Sequence, residues 1–80
     1  MITVQVQYFA ILREQRGVTE EKLSTGAGTA EALYEELRAR HRFTLPATRI
    51  RAAINDEFVA AGAALREGDR VVFIPPVAGG

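Results

Sequence analysis

The chain has 80 residues, of which 48% are hydrophobic and 25% are charged, and this is the composition of one small globular domain. Ten basic and ten acidic side chains cancel, which argues against a protein that grips nucleic acid or an anionic membrane through excess positive charge. There is no cysteine, no apolar run of the ~20 residues that a transmembrane helix needs and no signal-peptide pattern at the start, so we expect a cytoplasmic protein without disulfides or thiol chemistry.

The first stretch of the chain predicts a strand. Ile2, Val4, Val6 and Tyr8 alternate with polar residues, which is typical of a strand with one apolar face. Phe9 falls on the opposite face from these apolar residues, so either the chain turns there into the next element or its side chain is exposed.

A short helix and a polar strand are predicted next. Residues 10–16 contain good helix formers and end at Gly17, a natural C-cap. Residues 18–23 follow as a mostly polar strand, which we place at the solvent-exposed edge of the sheet.

The main helix is predicted from Ala30 to about Arg42, with Thr29 as its N-cap. Its buried stripe consists of Ala30, Leu33, Leu37 and Tyr34. After the helix, we expect the side chains of Phe43 and Leu45 to fold back onto the core.

The rest of the body predicts three short strands. Residues 51–54 form a strand, 55–57 a turn and 58–59 a return strand. An irregular connection anchored by Leu65 leads to a turn at Gly68-Asp69 and a last strand at 71–74. This order predicts an α+β fold in which a sheet packs on one main helix, with a domain at residues 1–74 and a mobile tail at 75–80.

None of the candidate reactive groups in the body predicts an active site. Gly26-Ala27-Gly28 before Thr29 lacks the lysine of a phosphate-binding loop, and we interpret it as a loop and helix cap. His41 is the single histidine, so no metal site is expected. Asp56 and Glu57 are interpreted as solvated turn residues rather than an acid–base pair.

The C-terminal stretch is the most informative. Pro75 and Pro76 end the last strand, because neither has an amide hydrogen to donate to a sheet. Residues 75–80 reach roughly 20 Å when extended at about 3.3–3.6 Å each. A frayed terminus is the ordinary interpretation, but average glycine usage of about 7% places two glycines at the end of only roughly 0.5% of chains. Gly79-Gly80 offers a carboxylate without side chains nearby, which suits a group that another protein handles in a narrow tunnel.

Both ends of the sequence resemble those of a known family. Pro75-Pro76-Val77-Ala78-Gly79-Gly80 after an apolar strand is similar to the end of the small subunit of molybdopterin synthase, the MoaD family of ubiquitin-like sulfur carriers. Residues 4–10, followed by Leu12-Arg13-Glu14, resemble the family's first strand and short helix. Gly68-Asp69-Arg70-Val71 resembles its turn into the last strand. The likeness covers nearly the whole chain.

The resemblance implies a fold and a reaction. The fold is a ubiquitin-like β-grasp, with the first and last strands side by side at the centre of a mixed sheet. An E1-like adenylating enzyme would use ATP to activate the Gly80 carboxylate, and sulfur would then convert it to a thiocarboxylate. In the active site of the large subunit, Gly80 would give this sulfur to a cyclic pyranopterin precursor during molybdenum cofactor biosynthesis, with Gly79 permitting close approach. The family implies no bound cofactor or metal, and a heterotetramer of two small and two large subunits.

The outer face of the sheet is the predicted docking surface. If Val71 and Phe73 face the helix, Val72 and Ile74 point to the other side, and Phe9 joins them when the last strand neighbours the first. We therefore expect an exposed apolar patch of Phe9, Val72 and Ile74 beside the root of the tail, which binds a partner. In this interpretation Pro75, Pro76 and Val77 hold the tail away from the sheet.

Three alternatives stay open. A sulfur carrier of the thiamin pathway also ends in Gly-Gly, and a ubiquitin-like modifier joined to lysines needs the same adenylated terminus. A plain binding module with an accidental tail is the third.

Overall fold

The computed structural model describes residues 1–76, which form a five-stranded sheet with one main helix on one of its faces. The elements, in chain order, are β1 (Ile2–Tyr8), α1 (Ala10–Arg16), β2 (Glu20–Thr25), α2 (Ala30–His41), a one-turn 3-10 helix (Ala47–Arg49), β3 (Arg51–Ile54), β4 (Glu57–Val59) and β5 (Arg70–Ile74). The strands lie in the order β2-β1-β5-β3-β4. None of the helices described for residues 1–76 is long and apolar enough to span a membrane.

β1 and β5 form the parallel centre of the sheet, as the resemblance implies. Val6 lies beside Val71 and Tyr8 beside Phe73, so the two strands end at the same edge. All other pairings are antiparallel, β1 with β2 on one side and β3 with both β5 and β4 on the other. The last described strand is therefore central, and the chain leaves the sheet from its middle.

The core lies between α2 and one face of the sheet. The predicted alternation in β1 is confirmed, because Val4, Val6 and Tyr8 are buried. On α2 the predicted stripe of Ala30, Leu33, Tyr34 and Leu37 is buried as well. Thr29 caps the helix by accepting a hydrogen bond from the amide of Ala32 at 3.1 Å.

An aromatic cluster closes the core where β1 and β5 end. The ring of Tyr34 lies 5.3 Å from that of Phe73 and 5.9 Å from that of Phe43, and Tyr8 contacts Phe43 edge-on at 5.8 Å. Phe43 thus folds back as predicted. Leu45 is only half-buried, so that expectation is wrong for its side chain; its carbonyl contributes instead, accepting a hydrogen bond from the hydroxyl of Tyr34 at 2.6 Å.

Several predicted boundaries shift by one or two residues. β2 runs from Glu20 to Thr25 rather than over 18–23, because Gly17, with φ 90°, starts a reversal that is complete only where Glu20 pairs with Gln7. The β3–β4 turn needs only Asn55 and Asp56, with φ 52° and 73°, so Glu57 is already in β4. β5 starts at Arg70, one residue early. Leu65 is buried, as expected of an anchor.

Candidate functional site

The root of the tail lies at the end of the central strand. β5 ends at Ile74, after which Pro75 is buried and Pro76 is exposed. Pro75 continues the parity of Phe73, so it lies toward the helix side rather than standing clear of the sheet. Val77, Gly79 and Gly80, for which we predict roles in docking and chemistry, lie outside the described residues.

The outer face of the sheet carries two rows of side chains beside this root. In the row nearest the tail, Arg51 pairs with Ile74, and Phe9 directly follows Tyr8, the partner of Phe73. In the next row, Gln7, Val72, Ala53 and Phe58 follow each other across four strands. Because all of these residues have the parity opposite to Val71 and Phe73, they lie on the face away from α2.

Two residues of the predicted apolar patch are accessible, whereas the third is buried, contrary to expectation. Phe9 is 38% exposed and Ile74 is half-buried, so both present apolar surface. Val72 has the predicted orientation, since it is absent from the helix-side core cluster, but it is only 6% exposed. Val72 is a short side chain flanked by Gln7 and Ala53 on the neighbouring strands, which limits the surface that it can expose.

In this row Phe58, rather than Val72, is the exposed apolar side chain. It is 60% exposed, and the guanidinium of Arg51 lies over its ring at 4.4 Å from the centroid. From its sequence context, Phe58 is predicted only as part of a return strand. A signal was present, because a two-residue turn at 55–56 pairs Ala53 with Phe58 and so puts the ring on the outer face. We call Phe9, Ile74, Pro76, Phe58 and Arg51 the tail-root surface.

The strained backbone of Ala10 helps to place Phe9 in this surface. Phe9 keeps extended geometry, with φ −123° and ψ 151°, and so continues the outward parity of β1. Ala10 then adopts φ 51°, a left-handed conformation that costs a non-glycine residue roughly 1 kcal/mol. The chain thereby turns into α1 immediately behind the phenyl ring, which leaves the ring exposed.

A partly buried ion pair supports the same corner from the helix side. Arg16 donates two hydrogen bonds to the carboxylate of Glu21, at 2.9 and 2.8 Å, and the hydroxyl of Tyr8 donates a third at 2.6 Å. These bonds join α1, β2 and β1. The hydrogen bonds from Arg16 lower the pKa of Glu21 to about 2, while burial and the bond to Glu21 raise the pKa of Tyr8. Tyr8, the residue before Phe9, is therefore fixed at both its backbone and its hydroxyl.

Comparison with known proteins places this geometry in a family. The pattern of the ThiS family matches residues 6–80. The chain is 34% identical over 80 residues to the molybdopterin synthase sulfur carrier subunit of Escherichia coli strain K12, with 96% of this chain and 99% of that protein covered. The chain belongs to the ThiS family.

Solved structures agree with this assignment. SAMP1 from Haloferax volcanii superposes with a TM-score of 0.77 at 26% identity, with 98% of this chain and 99% of that chain covered. A chain of the Amycolatopsis orientalis BexX/CysO complex superposes with a TM-score of 0.67 at 27% identity, covering 96% of this chain and 99% of its own. The ubiquitin-like β-grasp predicted for this member of the ThiS family is confirmed, as is its resemblance to molybdopterin synthase small subunits.

The remaining reactive groups of this ThiS-family chain serve the fold. Thr29 is a helix cap, as predicted. His41 packs beside Phe43 at 5.7 Å, and burial together with nearby Arg16 lowers the pKa of His41. Asp56 forms an exposed ion pair with Arg70 at 3.0 Å. Within residues 1–76, no three histidine or acidic side chains are grouped as metal ligands would be. The site that the structure describes is thus a partly apolar, exposed surface beside the end of β5.

Proposed function

We propose that the chain is the sulfur-carrier subunit of a cytoplasmic molybdopterin synthase and that Gly80 carries the sulfur atom. The observation that carries this proposal is the 34% identity to the E. coli subunit of that name over 96% of the chain. It is supported by the Pro75-Pro76-Val77-Ala78-Gly79-Gly80 sequence, which begins where the central strand ends.

The proposed chemistry starts with activation of a poor electrophile. An E1-like enzyme transfers AMP from ATP to the Gly80 carboxylate, releasing pyrophosphate and giving a mixed anhydride. A sulfur nucleophile attacks the carbonyl carbon and displaces AMP, which leaves a thiocarboxylate on Gly80. This sulfur passes to a cyclic pyranopterin precursor in the active site of the large subunit, where the dithiolene that holds molybdenum is built.

In this scheme the body of the chain binds and orients rather than catalyses. The tail contains no side chain able to act as an acid or a base, so catalysis comes from positioning by the partner. We assign docking to the tail-root surface, together with Val77. Phe9 and Phe58 are its large aromatic anchors, and such residues commonly dominate the binding energy of an interface. Pro75 and Val72, being buried, act by supporting this surface.

The first experiment is intact-mass analysis of the protein from its native host, with fragmentation to localise any change. Replacement of one oxygen by sulfur on Gly80 would establish a sulfur carrier. Because thiocarboxylates hydrolyse, an unmodified terminus leads to reconstitution with the adenylating enzyme, ATP, a sulfur source and the large subunit. Deletion of Gly80, or Gly80→Ala, should leave the folded domain intact and abolish sulfur transfer. Sulfuration of the pterin by a chain lacking Gly80 would refute the proposal.

A protein modifier is the second candidate. It is favoured by the match to SAMP1, since a related H. volcanii structure is described as a small archaeal modifier protein. Lysine adducts through Gly80 in cells would select this function. A sulfur carrier of the thiamin pathway would be selected if the Gly80 thiocarboxylate supported thiazole formation and not pterin sulfuration.

A further inference from the structure

The end of the sheet from which the tail leaves carries several arginines. Four of them are exposed at this end: Arg13 on α1, Arg42 at the C-cap of α2, Arg49 on the 3-10 helix and Arg51 at the start of β3. We call these the tail-end arginines.

Hydrogen bonds and strand register fix their location. Arg51 pairs with Ile74, the last residue of β5, and Arg49 is two residues earlier. α1 starts two residues after β1, and β1 ends beside β5. The amide of Gln15 donates to the hydroxyl of Thr44 at 3.0 Å, which holds the end of α2, and with it Arg42, against α1.

The chain holds one lysine, and it lies elsewhere. Of the ten basic side chains, only Lys22 is a lysine; it is exposed in the middle of β2. It pairs with Gln5, which is level with Arg70 at the opposite end of β5. With strands about 4.8 Å apart and residues about 3.3 Å apart, Lys22 lies roughly 22 Å from Pro76. The residues after Pro76 extend at most about 14 Å, so Gly80 meets this amine only when tail and side chain both stretch toward it.

We propose that the tail-end arginines keep an activated Gly80 from acylating its own chain: they supply positive charge at the tail root without any nucleophile. This inference rests on the proposed function, in which Gly80 carries an acyl-adenylate. A lysine here would attack the Gly80 carbonyl carbon through its neutral amine. A C–N bond would form, the C–O bond to AMP would break with its electrons going to AMP, and the ammonium proton would go to solvent. The product, an internal amide, can no longer accept sulfur.

Lysine and arginine side chains differ in the fraction that is neutral and therefore nucleophilic. A lysine amine with a pKa of about 10.4 is neutral in roughly 1% of molecules at pH 8.4, whereas a guanidinium with a pKa above about 12 stays protonated. Tethering raises the effective concentration of such an amine to the millimolar range when the linker spans the gap easily, and that concentration falls as the tether must stretch. Position on the sheet therefore decides which lysine would be harmful.

The proposal can be tested without a partner enzyme by activating the Gly80 carboxylate chemically. The chain is released from an intein fusion by mercaptoethanesulfonate, which leaves a thioester on Gly80. The dilute protein is incubated at pH 8.5, and mass spectrometry separates the hydrolysed acid from the internal amide, which is lighter by one water. Arg49→Lys and Arg51→Lys place an amine at the tail root, and Arg66→Lys places one before β5 at the other end of the sheet. All three keep the net charge unchanged.

We expect the wild type and Arg66→Lys to decay to the acid. Arg49→Lys and Arg51→Lys should form an amide at the new lysine, at least about tenfold faster than Arg66→Lys does. The proposal is overturned if both tail-root variants decay as the wild type does, or if the wild type closes onto Lys22 equally fast. Neither result would bear on sulfur transfer, which is measured separately by reconstitution.

Discussion

The two ends of the sheet are built differently. At the end where β5 begins, backbone and side chains satisfy each other: Asp69 accepts hydrogen bonds from Asn55 and from the amide of Arg66, and Gly68 donates to Thr3. At the end where β5 stops, the ring of Phe9 is exposed, Ala10 has a left-handed backbone and Arg51 lies beside Ile74. The first end is closed by its own hydrogen bonds, whereas the second also leaves apolar surface exposed, which we propose a partner covers.

The largest effect on partner binding is expected from Phe58→Ala, which removes a large exposed ring from the tail-root surface. Because the ring is 60% exposed on an edge strand, its loss should change the free energy of unfolding by less than about 1 kcal/mol. If the large subunit covers the tail-root surface, affinity for that subunit should fall roughly 10- to 100-fold. Urea unfolding measures the free energy of unfolding, and calorimetric titration with the large subunit measures the affinity.

Two controls sharpen this prediction. Phe58→Tyr keeps the ring under Arg51 and should bind nearly as wild type does. Val18→Ala removes another exposed apolar side chain, which precedes β2, and should bind normally. Unchanged affinity of Phe58→Ala would remove Phe58 from the docking surface.

The reverse pattern is expected from Asp69→Ala at the other end. This change removes acceptors for the Asn55 amide at 3.0 Å and the Arg66 backbone at 2.8 Å, so we expect a loss of about 1–2 kcal/mol in the free energy of unfolding. Partner affinity, extrapolated to fully folded protein, should stay unchanged. Asp56→Ala, which breaks only an exposed ion pair in the same region, should cost less than about 0.5 kcal/mol. Equal costs for the two variants would contradict the assigned role of Asp69.

The contrast between the ends was only partly predictable from sequence, for a physical reason. Local periodicity predicts β1 and α2, because their apolar residues recur at the spacing of a strand or a helix. The parallel pairing of β1 with β5 joins residues more than sixty positions apart, and periodicity contains no information about it. Resemblance to a family supplied that pairing, and the outward row of Phe9 and Ile74 followed from it.

The errors at the site have the same origin. Val72 has the predicted parity, but its exposure depends on Gln7 and Ala53 in two other strands. The exposure of Phe58 depends on the register of β3 with β4, which the turn at Asn55 and Asp56 sets, so the pattern of its own strand does not predict it. The face to which a side chain points follows from its own strand, whereas its exposure depends on the neighbouring strands.

A smaller, pH-dependent effect is expected from Glu21→Gln, which breaks the ion pair beneath Phe9. The pKa of Glu21 is lowered to about 2 in the folded protein from an ordinary value near 4.5, so its contribution is complete above about pH 4.5 and is lost as pH falls toward 2. We expect the variant to be about 1–2 kcal/mol less stable at pH 7, with the difference shrinking as pH falls through this window.

Urea unfolding at several pH values between 7 and 2.5 checks this. Glu20→Gln, next to it on β2 and exposed, is the matched control and should keep the pH dependence of the wild type. A stability difference between Glu21→Gln and the wild type that stays constant down to pH 2.5 would show that the charge of Glu21 is not what stabilises the corner.

The smallest effect is expected from Ala10→Gly, and it has the opposite sign. Glycine adopts φ 51° without steric cost, so the variant should gain up to about 0.5–1 kcal/mol in the free energy of unfolding, less what glycine adds to the entropy of the unfolded chain. If the left-handed turn serves only to aim Phe9, binding of the large subunit should be unchanged, because glycine keeps the same turn. Destabilisation of Ala10→Gly would mean that Ala10 is not strained, and weakened binding with normal stability would mean that its stiffness, and not only its φ angle, holds Phe9 in place.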